Sequence, residues 1–427
     1  MAPFPEGLTS EYSSPLTAPV PDFATTGLPE KPAVSEAELR EAASALAVDW
    51  QPLPSTATYD ALSKRLVALR ARLSERLKAC RKLASPNELT PQLELLESSR
   101  MFQSAIPTDE SIASTFRKLP HVRVATGDNL PQVVYLAMGY LAAAKGIWSQ
   151  ESLAIYMDQV QRHHPLLLQE ILLLPESLKL AQIQFILDRA DEAFAADNLP
   201  EIEQSPFSAP IHSLRRLSQA EWPDILEPLI PFADILRQDP GGVFENMELE
   251  TRTAYDQRVA ELAKYADASE VETAQTALEL ALQAAHTEER DPRLALRKRH
   301  IGYYLFAEGR TELQHRIGYH PPLKERLRSF IRSQNEEFYI LGIFILGVLL
   351  ITALILPLVP HHEFWLVMGA LLFALLPATQ GAVDLVNATV SALFKAEALP
   401  KVDLSKGVPK EATAFVVVPT LDRKSVV

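Results

Sequence analysis

Cysteine is almost absent from this sequence: Cys80 stands alone among 427 residues. An internal disulfide is therefore excluded, and neither an oxidising compartment nor a cysteine-based structural zinc is indicated. An excess of positive charge is missing too. The formal net charge is −13, whereas phosphate binding needs a basic face, so nucleic acid is not an expected partner. The first residues lack a basic start followed by an apolar core, so no secretory signal peptide is expected. Nucleophile-elbow, phosphate-loop, HExxH and CxxC spacings are all missing, and catalysis has no support from motifs alone. There is no obvious short repeat either.

What is present is mostly helical patterning. Residues 1–34, with scattered prolines, read as a disordered leader. Ser35 and Glu38 have capping-box spacing ahead of an alanine-rich run to about Val48. A loop rich in Pro and Thr follows, from Gln51 to Thr58. Leu62, Leu66, Leu69, Leu73 and Leu77 then recur every three or four residues between Arg and Lys, which marks an amphipathic helix. That stripe reads as a core or partner face, with coiled-coil pairing as the alternative, so a homo-oligomer stays open. Helical pattern continues from Leu130 to Ala195, broken at Pro165 and Pro175 and without strand signals, and again from Ser213 to about Ala285. Asp239, Pro240, Gly241 and Gly242 interrupt the last block and force a turn. Residues 35–332 are thus expected to form a helical cytoplasmic domain.

Charge nearly vanishes between Phe338 and Phe394. Phe338 to Pro360 carries none, and at about 1.5 Å per residue it crosses about 30 Å of hydrocarbon. Its Leu, Ile, Val and Phe residues contribute roughly 5–10 kcal/mol to insertion, as an upper bound. After His361, His362 and Glu363, a second uncharged run extends from Phe364 to Val383 and continues past Asp384 to Phe394. The expectation is a transmembrane hairpin, 338–360 and 364–394. Lys324, Arg326, Arg328 and Arg332 precede it and Lys395, Lys401 and Lys406 follow it, while its turn has no Lys or Arg, so both flanks are assigned to the cytoplasm. Asp384 and Asn387 either face a partner helix or mark the end of the membrane segment; the second reading is preferred.

Few residues invite chemistry. His163 and His164 are adjacent and cannot both face one ligand site from a helix, so a helix end before Pro165 is the reading adopted. His361 and His362 are read as polar turn residues. Arg297, Lys298 and Arg299, with His300, form a compact basic cluster close enough in sequence to the apolar runs to contact anionic lipid. The alternative is a solvated helix face.

Several phrases carry more information than any short motif. LPQVVYLAMGYL from Leu130, SLRRLSQAEWPDILE from Ser213, RQDPGGVFENMELETRTAYDQRV from Arg237, HIGYYLFAEGR from His300, IGYHPPLKERLR from Ile317 and PKVDLSKGVPKEATAFVVVPTL from Pro400 stand in this order. Together they resemble the N-terminal region of the cyclic beta-1,2-glucan synthases, which are large inner-membrane enzymes. The resemblance covers nearly everything beyond about Leu62 and departs at Gln380, where the family carries an acidic residue. It implies a processive glycosyltransferase domain that uses UDP-glucose, a divalent metal (Mg or Mn) in the full-length enzyme, further membrane helices and a phosphorylase-like domain. Ala414 to Val418 gives a buried-strand signal, the expected first strand of a doubly wound nucleotide-sugar domain, with Thr420 on its ligand side. The metal-binding carboxylates would come later. This chain is therefore expected to hold no cofactor and no complete active site.

The last six residues, Asp422 to Val427, leave the family pattern and read DRKSVV. A common sequencing adapter, GATCGGAAGAGCGTCGTG, translates to that hexapeptide, so authentic sequence is expected to stop after Leu421. The full reading is a mainly α fragment: a helical cytoplasmic domain, a two-helix transmembrane hairpin, and in 395–427 a linker with the truncated start of an α/β nucleotide-sugar transferase domain. It belongs in the bacterial inner membrane, as the anchoring part of an enzyme that polymerises glucose from UDP-glucose into beta-1,2-glucan. The rival from another class is a non-catalytic, membrane-anchored helical scaffold or sensor that binds a protein partner.

Overall fold

The computed structural model describes residues 34–48, 52–53, 61–83, 91–106, 114–123, 129–195, 207–287, 289–322, 326, 335–356, 364–393, 401, 403 and 407. The chain divides into two compact units, Met1–Leu229 and Ile230–Val427. The fold is mainly α, as the patterning implies. Thr420, the 361–363 turn, the 414–418 strand and nearly all of the 1–34 leader lie outside the described residues.

The first unit contains α1 (Glu36–Val48), α2 (Ala61–Leu83), α3 (Pro91–Glu97), α4 (Ser99–Ala105), α5 (Gln132–Ala143), α6 (Gln150–Gln161), α7 (Leu168–Leu172), α8 (Leu174–Ala195), α9 (Ser208–Gln219) and α10 (Trp222–Leu226). The capping box forms as the spacing requires: the Glu38 amide donates to Ser35 Oγ at 3.3 Å and the Ser35 amide to Glu38 Oε2 at 3.0 Å. All five leucines of the α2 stripe are buried. The flank of α2 beside the stripe is tied to α8, where Arg72 bridges Asp188 and Asp191 and Arg65 donates to Gln184. Cys80 lies on the same buried side, and burial pushes its thiol up to about 11, which keeps it inert as a nucleophile.

The centre of this unit is α5, which packs against both α8 and α1. Val133, Leu136, Ala137, Tyr140 and Leu141 are buried there, consistent with a helix apolar on most of its surface. Tyr140 meets Tyr156 of α6 edge to face at 5.5 Å, and its hydroxyl pairs with Ser152 Oγ at 2.7 Å. After α5 the chain turns through Gly146 at φ +76°, where a Cβ would come within 2.3 Å of the Phe185 ring. The Pro165 break falls as expected: α6 ends at Gln161, and His164 Nε2 lies 3.1 Å from the Ala47 carbonyl.

One element was not legible in advance. Pro52–Leu53 (β1), His121–Arg123 (β2) and Asn129–Pro131 (β3) form a small antiparallel sheet in the order β1, β2, β3. Its register places Leu53 opposite His121 and Val122 opposite Leu130. Strands of two or three residues show no alternation to read.

The second unit contains α11 (Ala233–Arg237), α12 (Leu249–Ala263), α13 (Glu270–His286), α14 (Pro292–Lys298), α15 (Ile301–Phe306), α16 (Arg310–Arg316), α17 (Asn335–Ile355) and α18 (Phe364–Leu393). A second capping box, Ser269 with Glu272, starts α13. Its buried face carries Ala274, Ala277 and Ala281, small enough to let α12, α15 and α16 pack against it.

The two apolar helices run side by side in opposite directions. Tyr339 Oη of α17 donates to Asn387 Oδ1 of α18 at 2.9 Å, while Gly347 comes against Ala382 and Gly381 against Leu350. Asn387 thus faces the neighbouring helix, as the first of its two readings has it, and α18 itself continues to Leu393. Asp384 accepts from Gln380 one turn before it. Within α18, Val367–Ala392 is the one helix among the described residues that is long and apolar enough to cross a membrane; Tyr339–Ile355 is apolar but shorter. Large apolar side chains point away from the pair, among them Phe344, Trp365, Leu372, Phe373 and Leu376.

Beyond α18 the chain returns to the helical body. The Glu248 amide donates to the Lys401 carbonyl at 3.1 Å, the Lys401 amide to Thr251 Oγ1 at 3.1 Å, and the Asp403 amide to the Asn246 carbonyl at 2.8 Å.

Candidate functional site

The most connected polar cluster in the second unit grows from the turn after α11. The Gly242 amide closes that turn on the Asp239 carbonyl at 2.9 Å, and Gly242 itself sits at φ +63°, a left-handed conformation that glycine adopts without strain. The turn aims the Asp239 side chain, only 1% exposed, into the body. There Asp239 Oδ2 lies 2.6 Å from His300 Nδ1, and Oδ1 accepts the Ile301 amide at 2.9 Å. Asp239 therefore caps the first turn of α15 while orienting the ring just before it.

On its other side, His300 Nε2 is 2.8 Å from Tyr255 Oη. Each ring nitrogen thus has a polar partner, the Asp239 carboxylate at Nδ1 and the Tyr255 hydroxyl at Nε2. Tyr255 is buried, edge-on to Phe244 at 5.7 Å and tilted on Phe306 at 4.8 Å. Burial, with the Asp239 charge adding to it, pushes its hydroxyl far above the ordinary tyrosine range. Asp239, His300 and Tyr255 thus form a linear hydrogen-bonded triad joining the α11 turn, the start of α15 and the middle of α12.

Electrostatically the triad is held by its carboxylate. Burial raises the Asp239 carboxyl, but the hydrogen bonds from His300 and from the Ile301 and Gly241 amides outweigh it, so the group stays below its ordinary value of 3.8. A carboxyl depressed in the fold stabilises it above pH 3.8 and withdraws that contribution as the pH falls through the folded value. The second unit is therefore expected to lose stability in that acid window, and Asp239→Asn to flatten the dependence. Thermal denaturation across a pH series checks this; identical acid limbs in both proteins would contradict it.

An oriented Asp and His also make up the base of nucleophilic enzymes. Here the third member is a buried tyrosine that stays protonated, and both imidazole nitrogens are already engaged. The arrangement leaves no position open for a substrate, so its chemistry is that of a buried tie between three elements.

The sequence-derived site residues lie nearby or outside the described part. Arg297 pairs with Glu308 at 2.9 Å, Lys298 pairs with Glu289, and Arg299 is the C-cap of α14. Their charge is thus partly answered within the fold, next to the triad through His300. Thr420 is outside the described residues. Sequence reading took Asp239 as a turn residue and His300 as a fourth basic group, and it passed over Tyr255. All three fall inside the phrases starting at Arg237 and His300, and that coincidence was the available signal. Among the described residues no group of three or more His, Cys, Asp or Glu side chains could hold a metal ion, so the divalent metal implied by the family resemblance has no ligand set there.

No protein-family model matches the chain. Among curated proteins, it is similar to the cyclic beta-(1,2)-glucan synthase NdvB of Rhizobium meliloti (strain 1021), with 28% identity over 218 residues. That stretch is 50% of this chain and only 8% of NdvB, so the chain corresponds to a small part of its relative. The similarity supports a distant relationship to a cyclic beta-glucan synthase and, at a coarse level, to a glycosyltransferase family.

Proposed function

We propose that this chain is the membrane-anchoring, helical accessory part of a glycosyltransferase that polymerises glucose from UDP-glucose into beta-1,2-glucan in the bacterial inner membrane. The observation that carries the reading is the similarity over half of the chain to a cyclic beta-(1,2)-glucan synthase. The apolar pair α17 and α18 supports the anchoring role. Side chains such as Phe373, 85% exposed, and Trp365, 78% exposed, form an apolar surface that water would leave uncovered and hydrocarbon would cover. In this reading the catalytic carboxylates, the metal and the sugar-nucleotide site belong to a domain that the region around Thr420 opens. The closed triad holds the helical body together and takes no part in transfer.

Two measurements test the proposal. Reporter fusions at Ser333 and Ser405 are expected to report the same side of the membrane and a fusion at His362 the opposite side; opposite signals at the first two would refute the hairpin. The 427-residue chain alone is expected to incorporate no labelled glucose from UDP-glucose, with or without magnesium or manganese. An open reading frame extended through the downstream DNA is expected to restore transfer.

A further inference from the structure

We propose that the exposed face of α2 docks on an anionic lipid surface, the headgroup layer of the membrane that holds the apolar pair; the choice of a membrane rests on the function proposed above. The helix carries eight Lys and Arg residues against a single carboxylate, Glu75, in a chain whose formal net charge is −13. Positive charge is concentrated in one helix of an acidic molecule.

The cations divide by direction. Arg65, Arg72 and Arg76 turn toward α8, where Gln184, Asp188 and Asp191 engage them. Lys64, Arg70, Lys78, Arg81 and Lys82 are exposed, and helical spacing puts Lys64, Lys78 and Lys82 opposite the buried leucine stripe. Among the described residues Lys64, Lys78, Arg81 and Lys82 have no ion-pair partner. Folding leaves their charge unanswered.

The relief of the face selects the partner. From Lys64 to Lys82 it runs about 27 Å along the helix at about 1.5 Å per residue. The exposed positions between the cations are mostly short side chains, Val67, Ala68, Ala71 and Ser74, with Glu75 the one opposing charge. A long face of low relief suits a broad, diffuse anion more than a ligand held in a pocket. A leaflet of anionic lipid is such a partner, since each Lys or Arg brought to it strengthens binding about fivefold. It also demands no fixed geometry, which suits the flexible lysine ammonium better than the arginine fork. The apolar pair tethers the face to the bilayer and so raises its effective concentration there. Single-stranded nucleic acid fits less well, because α2 has no aromatic side chain on which a base could stack.

The test uses the full chain with Ala71→Cys carrying an environment-sensitive fluorophore; Cys80 is buried and stays unlabelled. In vesicles of phosphatidylcholine mixed equally with phosphatidylglycerol, the emission is expected to shift to the blue. In phosphatidylcholine alone no shift is expected. At about 1 M salt, where screening acts over about 3 Å, the shift is expected to vanish. Lys64→Gln, Lys78→Gln, Arg81→Gln and Lys82→Gln together are expected to abolish it. Lys64→Arg, Lys78→Arg and Lys82→Arg together are expected to keep it, which separates lost charge from lost folding. No shift in the anionic vesicles, an equal shift in both lipids, or a shift that survives the four glutamines would overturn the docking. A larger shift with polyuridylate than with the anionic vesicles would give the face to nucleic acid and overturn the lipid. Insertion is read separately, because flotation with phosphatidylcholine vesicles at about 1 M salt depends on the apolar pair alone. A chain that floats there but never shifts loses the α2 docking and keeps its anchor. A chain that shifts with added anionic vesicles but does not float keeps the docking and loses the anchor.

Discussion

Asp239→Ala is expected to destabilise the second unit by about 3 kcal/mol, because removing one carboxylate strands several partners at once. The Ile301 amide and His300 Nδ1 lose their acceptor inside the body. Each buried group left without a partner costs about 1–3 kcal/mol. The loss is the desolvation of orphaned donors. Asp239→Asn retains an acceptor oxygen and is expected to cost about half as much. Hydrogen exchange along α12 and α15 reads the effect locally, within the unit that holds the triad. Equal exchange in the wild type and the alanine variant would show that the triad contributes nothing to stability.

Gly302→Ala is expected to be nearly as damaging, although it adds a single methyl group. A Cβ there would stand 2.2 Å from Tyr255 Oη and 2.6 Å from His300 Nε2. Tyr255 cannot swing aside freely because Phe244 and Phe306 both pack against its ring. The Tyr255 to His300 hydrogen bond must therefore break or α15 must shift, at about 2–3 kcal/mol in the range usual for overpacking. Gly242→Ala gives the control: nothing lies within 4 Å of its Cβ, so only the left-handed backbone is strained, at about 1–2 kcal/mol. Asp239→Ala and Gly302→Ala break the same network, so their combined effect is expected to fall short of the sum. Strict additivity in urea-dependent exchange would separate the two positions and dissolve the triad into independent contacts.

The legible and illegible parts of the molecule differ in the distance over which their causes act. Leu62 to Leu77 form a buried stripe because helical spacing alone puts them on one face. Ser35 and Glu38 cap α1 because their reciprocal hydrogen bonds span three residues. The apolar runs of α17 and α18 announce themselves by lack of charge. By contrast, Asp239 and His300 are 61 residues apart and Tyr255 and His300 are 45 apart, so no local pattern joins them. The same holds for Arg297, whose partner Glu308 sits on the far side of α15 in sequence. Trp148 and Trp222 likewise meet at 5.8 Å across 74 residues of chain, a contact without signature in spacing. Asn387 stands between two readings for a related reason: a polar residue in an apolar run is ambiguous until its neighbour, here Tyr339, is known.

The return of the chain at Lys401 and Asp403 changes how the second unit can carry load. Just before α17 the body holds the chain at His320, whose amide donates to the Tyr265 carbonyl, and at Ile317, whose carbonyl accepts the Asp267 amide. After α18 it is held again at Asn246, Glu248 and Thr251. A single attachment would leave the apolar pair free to swivel like a flag on one hinge. Two attachments fix both ends of that excursion on the body, one of them at the Asn246–Thr251 segment, a few residues from the Asp239 turn.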